Sequence, residues 1–358
     1  MSKIKVAVIF GGVSSEHDVS LVSATNIIQN LSKDKYEIIC IGITKKGRWY
    51  YYPGDPGLIA SGEWEKNGDC TPAILSPDPI HKGFIKLEAE GISVQKVDVI
   101  FPVLHGKNGE DGTIQGLFEL SGIPYVGCGV LASANCMDKA LTHTVLDSAG
   151  IRTARYRVIT ASELGMLDEK CKAFAEELGF PLFVKPANSG SSIGINKAYD
   201  MEGLQNAVKY AFAHDKKVLV EEFIEGREIE CAVFGNDSPI ASIVGEIAPA
   251  NDFYDYEAKY ILGSTNLYIP ARIDEKISDR VREIAVKAFK AMGCAGLSRV
   301  DFFVKKDGEI VLNEINTLPG FTPISMYPKL MGAIGVPYGE LLDKLIRLAF
   351  ERADVAVD

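Results

Sequence analysis

Apolar and polar positions change their period along the chain, and the changes divide it. KVAVIF near the start, YEIICIGI from Tyr36 and VDVIFPVL from Val97 are apolar at nearly every position. Short runs of this kind predict strands buried on both faces. A helix is predicted between the first two, from Glu16 to Asn30, with Ser15 and Asp18 at capping-box spacing. Alternating strands and helices predict an α/β arrangement around a parallel sheet. Residues 45–90 interrupt it: GRWYYYPGDPGLIASGEWEKNGDCTPAILSPDP is rich in Gly, Pro and aromatics and weakly periodic. It reads as an irregular surface insertion with room for a hairpin.

From about Cys136 the pattern becomes α+β. Helices are predicted over Lys139–Ala149, Glu169–Leu178 and Met201–His214, and a strand at KVLVEEFI. ECAVFG and IASIVGEI then read as paired strands. After a long loop, Ile277, Val281, Ile284, Ala285, Ala288 and Met292 recur at helical spacing, with Gly293 as the stop. The expected division is 1–135, 136–230 and 231–358, in keeping with a 358-residue chain too long for one core.

Composition narrows the partners. A net charge of -10 argues against non-specific nucleic-acid binding, yet allows nucleotide binding, which local charges decide. No apolar run approaches the ~18 residues of a membrane span, so no membrane insertion is expected. VAVIF is short and no cleavage site follows, so no signal peptide is expected. Seven cysteines without a CxxC pair suggest reduced thiols in a cytoplasmic protein.

Two stretches carry candidate chemistry. In VKPANSGSSIG a strand ends at Lys185 and opens into a loop of small residues. The common phosphate loop places its lysine after the glycines. Here it comes first, so another architecture must position the phosphates. In SRVDFFVKKDGEIVLNEIN two strand-like runs flank Asp307-Gly308, a hairpin turn signal. A two-residue loop sets Lys306 opposite Glu309, Val304 opposite Val311, Asp301 opposite Glu314 and Arg299 opposite Asn316. Opposed side chains have Cβ atoms ~5 Å apart. Two facing carboxylates and an amide oxygen make an oxygen-only site suited to Mg²⁺ shared with phosphates. A solvated strand face accounts for the hairpin alone equally well.

The motifs together carry a resemblance. RVDFFV and EINTLPGFTPISMYP resemble the C-terminal signature of the ATP-grasp superfamily. LHGKNGEDGTIQG, MDK, FVKPANSGSSIG and FYDYEAKY, in that order, resemble the D-alanine–D-alanine ligase family. The resemblance runs from GGVSSEHDVSLVS to MYP, nearly the whole chain. It implies an ATP-grasp fold behind an N-terminal Rossmann-like parallel-sheet domain. It also implies ATP-dependent joining of two D-alanines through a D-alanyl phosphate, for peptidoglycan precursor synthesis. Two Mg²⁺ ions, replaceable by Mn²⁺, and a homodimer built through the N-terminal domain belong to the same implication. D-alanine–D-lactate ligases and other carboxylate–amine ligases of the superfamily are the alternative.

The resemblance also implies roles. Lys139 and Lys185 would hold the α- and β-phosphates, with the loop Asn188 to Ser192 closing over them. Lys259 would reach the γ-phosphate. Asp301, Glu314 and Asn316 match the metal ligands. Arg299 and the backbone of Gly320 match the stabilisers of the acyl phosphate and oxyanion. Glu16 would bind the first D-alanine's ammonium and Ser191, which in turn meets Tyr260. His105, with Glu110 in the same motif, would lie near that substrate's carboxylate. Ser325 and Met326 match the pocket for the second carboxylate. Glu221 and Glu228 would accept from the adenine amine and the ribose, with Glu222 and Ile224 beside them and Phe183, Phe253 and Phe303 as walls. The family often has a lysine where Glu222 stands, which puts only side-chain contacts there in doubt. The intact FYDYEAKY, with Tyr260, predicts the dipeptide over the D-lactate product.

Overall fold

A computed structural model describes residues 2–66, 68–190, 193–248 and 266–356. Ser191, Ser192, Phe253, Lys259 and Tyr260 lie outside them.

The fully apolar runs become the parallel part of the first sheet. β1 (Ile4–Gly11) pairs in parallel with β2 (Tyr36–Ile43) and, on its other side, with the run Val99–Val103. Val6, Val8 and Phe10 enter one core with Ala24 and Ile27 of α1 (His17–Asn30); Ala7 and Ile9 enter another with Phe118 and Tyr125. A strand buried on both faces has no use for polar alternation. The predicted capping box does not form. Glu16 is the N-cap, no side chain caps the helix, and Asp18 pairs with Lys45.

The 45–90 segment corrects the expectation of an irregular insertion. It supplies β3 (Trp49–Tyr52), β4 (Thr71–Leu75) and β5 (Gly83–Glu88), and β6 (Gly91–Lys96) follows. These strands run antiparallel and extend the sheet to seven in the order β6-β5-β4-β3-β2-β1-β7, where β7 is Val99–Val103. Each is too short to show a clear period. Trp64 between them is fully buried, edge-on to Phe10 at 5.2 Å. Gly42 leaves room for it: a Cβ there would meet the indole at 2.3 Å.

Two helices that the pattern did not predict, α2 (Thr113–Ser121) and α3 (Val130–Met137), lead to α4 (Lys139–Ser148). The second sheet is antiparallel, with β8 (Tyr156–Thr160), β9 (Leu182–Pro186), β10 (Asn196–Ala198) and β11 (Lys217–Glu222) in the order β10-β9-β11-β8. α5 (Leu167–Leu178) and α6 (Met201–Ala211) cover it and give it a core of its own, including Phe174, Leu204 and Val220.

The third sheet runs β14-β13-β12-β15-β16: β12 (Arg227–Gly235), β13 (Ile240–Ala248), β14 (Asn266–Tyr268), β15 (Gly296–Val304) and β16 (Ile310–Asn316). α7 (Glu275–Ala291) packs Val281, Ala285, Ala288 and Phe289 against one face with Val300 and Phe302, and the chain turns at Gly293 with φ 69°. Two further helices escaped the sequence pattern, α8 (Met326–Ala333) and α9 (Tyr338–Arg352). Their Tyr327, Leu341, Leu345 and Phe350 share a core with Val6, Val8 and Phe10, which joins the first and third sheets into one packed body. All seven cysteines are free thiols. Among the described residues no helix is long and apolar enough to cross a membrane.

Candidate active site

The β15–β16 hairpin departs from the expected register at its turn and returns to it at the acids. Lys305 N–H donates to Glu309 at 2.9 Å across three residues, the last of them Gly308 at φ 88°. A type I turn followed by a left-handed glycine is the usual three-residue hairpin loop. The extra loop residue sets Val304 opposite Ile310, where a two-residue loop requires Val311. A bulge at Asn313 then absorbs the offset, and Asp301 faces Glu314 and Arg299 faces Asn316 as expected. The bulged Asn313, missed in the sequence, lines the cleft and accepts a hydrogen bond from Lys185 Nζ at 3.3 Å.

On the other side of β15, Glu230 of β12 faces Asp301. Glu230, Asp301 and Glu314 therefore form one row across three strands, opposite the face covered by α7. Arg299 donates to both oxygens of Asp301, Nε at 2.8 Å and a terminal nitrogen at 2.7 Å, and its Nε lies 3.2 Å from Glu230 Oε2. Asn316 Nδ2 donates to Asp301 at 2.9 Å. Burial works against the guanidinium charge, but Asp301 and Glu230 outweigh it and hold its pKa well above the ordinary value. The acids thus already gather positive charge. Among the described residues no three His, Cys, Asp or Glu form a cage that could hold a metal alone. Asp301, Glu314 and the Asn316 amide fit instead an ion completed by oxygens from a bound phosphate, as Mg²⁺ is commonly held.

Across the cleft, Lys185 is the next-to-last residue of β9, with Nζ 2.6 Å from Glu221 Oε2. The other Glu221 oxygen meets His143 Nε2 at 3.0 Å. Burial raises the Glu221 pKa, but Lys185 and His143 prevail and bring it down to about 2. His143 is one turn beyond Lys139 on α4, a spacing visible in the sequence. Lys139 Nζ donates to Ser189 O at 2.6 Å, tying α4 to the loop that follows β9. Asp138 caps α4 through Ala140 and Leu141 N–H groups and so sets where Lys139 emerges.

Phe183 stacks on Phe223, ring centroids 5.8 Å apart, beside Ile224 and Phe303 in the cleft wall. Lys197 Nζ stands 3.6 Å from the Phe223 ring centroid. Glu222 gives its carboxylate to Arg152 and Arg155, both at 2.7 Å, so two arginines match the acid that replaces the family's common lysine. Glu228 faces Phe303 across the strands and lines the same wall.

At the far end, Glu16 is buried against backbone. A Cβ on Gly106, at φ 69°, or on Gly190 would come within 2.7 or 3.0 Å of its Oε2. Only glycines admit so close a carboxylate. His105 lies 3.1 Å from Leu318 O through Nδ1, and burial lowers its pKa against the pull of Glu16. Glu110 accepts from Gly106 N–H at 2.7 Å and Leu318 N–H at 3.2 Å. Burial and then the Glu16 charge raise its pKa to about 8 in spite of those bonds. Gly320 lies where a Cβ would meet Ser325 Oγ at 2.9 Å, and Met326 opens α8 beside it. Every candidate within the described residues lines this single cleft of about 980 Å³.

Similar proteins share this framework. Models of the D-ala D-ala ligase N-terminus and C-terminus match residues 5–128 and 145–347. The D-alanine--D-alanine ligase of Ruminiclostridium cellulolyticum is 53% identical over 98% of this chain and 96% of that protein. The D-alanine--D-alanine ligase of Thermoanaerobacter sp. is also 53% identical, over 98% of each chain. Among solved structures, the VanG D-Ala:D-Ser ligase from Enterococcus faecalis superposes with a TM-score of 0.90 at 45% identity, covering 97% of this chain and 100% of that one. The D-alanine-D-alanine ligase from Coxiella burnetii gives 0.87 at 36% identity over 99% and 96%. With its fold, its cleft and both halves of its length in agreement, the chain belongs to the D-alanine–D-alanine ligase family.

Proposed function

We propose that this protein joins two D-alanines to D-alanyl-D-alanine at the expense of ATP, releasing ADP and phosphate. The observation that carries the reading is the cleft itself. Asp301, Glu314, Asn316 and Arg299 stand on one wall, Lys139 and Lys185 on the other, and Glu16 with His105 closes one end.

The nucleotide lies between the 136–230 and 231–358 segments, its base near Phe183, Ile224 and Phe303 and its phosphates near the two lysines. Two Mg²⁺ ions, replaceable by Mn²⁺, would be held by Asp301, Glu314 and Asn316, where they neutralise phosphate charge as it develops. Glu16 receives the ammonium of the first D-alanine, which leaves that substrate's carboxylate facing the γ-phosphate. A carboxylate oxygen attacks phosphorus and ADP departs. The amine of the second D-alanine attacks the acyl carbon, and inorganic phosphate leaves from the tetrahedral adduct. Arg299 and the Gly320 N–H face the developing oxyanion, the largest electrostatic demand of such a step. Ser191, Tyr260 and Lys259 take the parts the resemblance gives them, the loops closing to keep water from the acyl phosphate.

ADP release with single amino acids tests the reading. D-alanine alone should suffice and L-alanine should not; failure of D-alanine contradicts it. The likeness to a D-Ala:D-Ser ligase supports a second reading, in which D-serine is the preferred second substrate. Product analysis with D-alanine, D-serine and D-lactate in competition separates the products. A cytoplasmic setting, where ATP and free D-alanine meet, goes with the reading. The resemblance implies a pairing of chains through the N-terminal domain, where the outer strands of the first sheet expose Ile74, Leu87, Ile92 and Val94.

A further inference from the structure

One acid in the row across β12, β15 and β16 has no part in the chemistry above. Glu230 is buried at 6% exposure on the middle strand of the five, fixed by pairing with β13 and β15. Its register partner is Asp301, and its Oε2 lies 3.2 Å from Arg299 Nε. Asp301 meanwhile carries three hydrogen bonds, two from Arg299 and one from Asn316. An Asp301 that ligates a dication has its charge largely neutralised, and the dication repels the guanidinium beside it. Arg299 then needs another anion to keep its place, and Glu230 stands on its flank in a strand that cannot move away.

Resting on the ligase reading, we propose that Glu230 is the positioning carboxylate of Arg299. It retains Nε when Asp301 turns to the metal, and it aims the terminal N–H groups at the oxyanion. It touches neither substrate nor metal. The sequence offered a signal, since Glu228 and Glu230 alternate onto one strand face.

Glu230→Gln keeps the volume and one acceptor and removes the charge. The expected result is a split. Melting temperature, KM for ATP and affinity for ADP with Mg²⁺ stay near those of the unaltered protein. Meanwhile kcat and affinity for a phosphinate dipeptide analogue each fall about 100-fold, as for a displaced oxyanion donor. Unchanged kcat and phosphinate affinity overturn the proposal. So does a parallel loss of ADP affinity and thermal stability, which marks Glu230 as charge balance for the fold alone. A crystal structure of the unaltered protein with ADP, Mg²⁺ and the phosphinate tests it without a variant. Glu230 should remain on Arg299 Nε while Asp301 is on the metal; Glu230 on the metal, or turned from Arg299, overturns it. D-alanine-dependent ADP release by the unaltered chain is the control. Its absence overturns the ligase reading and this inference together; its presence beside an unimpaired Glu230→Gln overturns this inference alone.

Discussion

Asp301 and Glu314 face each other across β15 and β16, and the backbone ladder between them does not depend on their charge. Glu314→Gln should therefore fold and melt near the unaltered protein, whereas Asp301→Asn should fold but melt lower, because it takes the carboxylate from the buried Arg299. In both, ADP release per folded molecule falls about 100-fold or more, the usual scale for losing a preorganised electrostatic group. Near-normal turnover at ordinary magnesium in either variant removes the metal assignment. Glu110 makes a second prediction at this scale. Burial and then the Glu16 charge raise its pKa from 4.5 to about 8, so the folded state keeps a proton that the unfolded chain has lost. Stability then falls as pH rises from about 4.5 to about 8. Glu110→Gln should flatten that fall. Urea midpoints measured at pH 5 and pH 8 should diverge between the two proteins; parallel slopes contradict the buried, protonated carboxyl.

At the scale of elements, the 45–90 segment shows why part of the fold was illegible. Its strands are four to six residues long and broken by Gly and Pro, so no period could establish itself. Their order becomes visible only once Trp64 is seen filling the space beside Phe10 and Gly42. Trp64→Ala should accordingly cost about 3–5 kcal/mol, as for a large buried aromatic, while turnover per folded molecule is retained. A loss below 1 kcal/mol in a urea titration contradicts a core role for this segment. The β15–β16 hairpin was legible in part, for a different reason. Alternation fixes which residues of one strand share a face, but the longer loop alone would have set Asp301 opposite Asn313. Asp301 and Glu314 meet because the bulge at Asn313 restores the register. The bulge at Asn313 was not legible, because no local signal distinguishes a bulged asparagine from a paired one. The failed capping box at Ser15 and Asp18 belongs here too: Glu16 is placed by the glycines around it, and they lie far away in sequence.

Across the whole molecule, the cores say which parts move together. The first and third sheets share one apolar cluster through α8 and α9, whereas the second sheet has its own. The cleft lies where these bodies meet, with Lys185 on the second sheet, the acids on the third, and Lys139 at the start of α4, which packs Leu146 into the third sheet's core. Polar contacts bridge the gap: Lys185 reaches Asn313, and Arg152 joins Glu222 to Glu309. Such contacts cost little to break beside a shared core, so closure over a nucleotide is available to the second sheet and its loop.

The account depends on a nucleotide's phosphates meeting the hairpin acids through a divalent ion. Crystals of the protein with ADP and Mn²⁺, measured at the manganese edge, test that directly. The account predicts anomalous density between Asp301, Glu314 and Asn316, with the diphosphate within reach of Lys139 and Lys185. Manganese bound elsewhere, or a diphosphate remote from the two lysines, would contradict it.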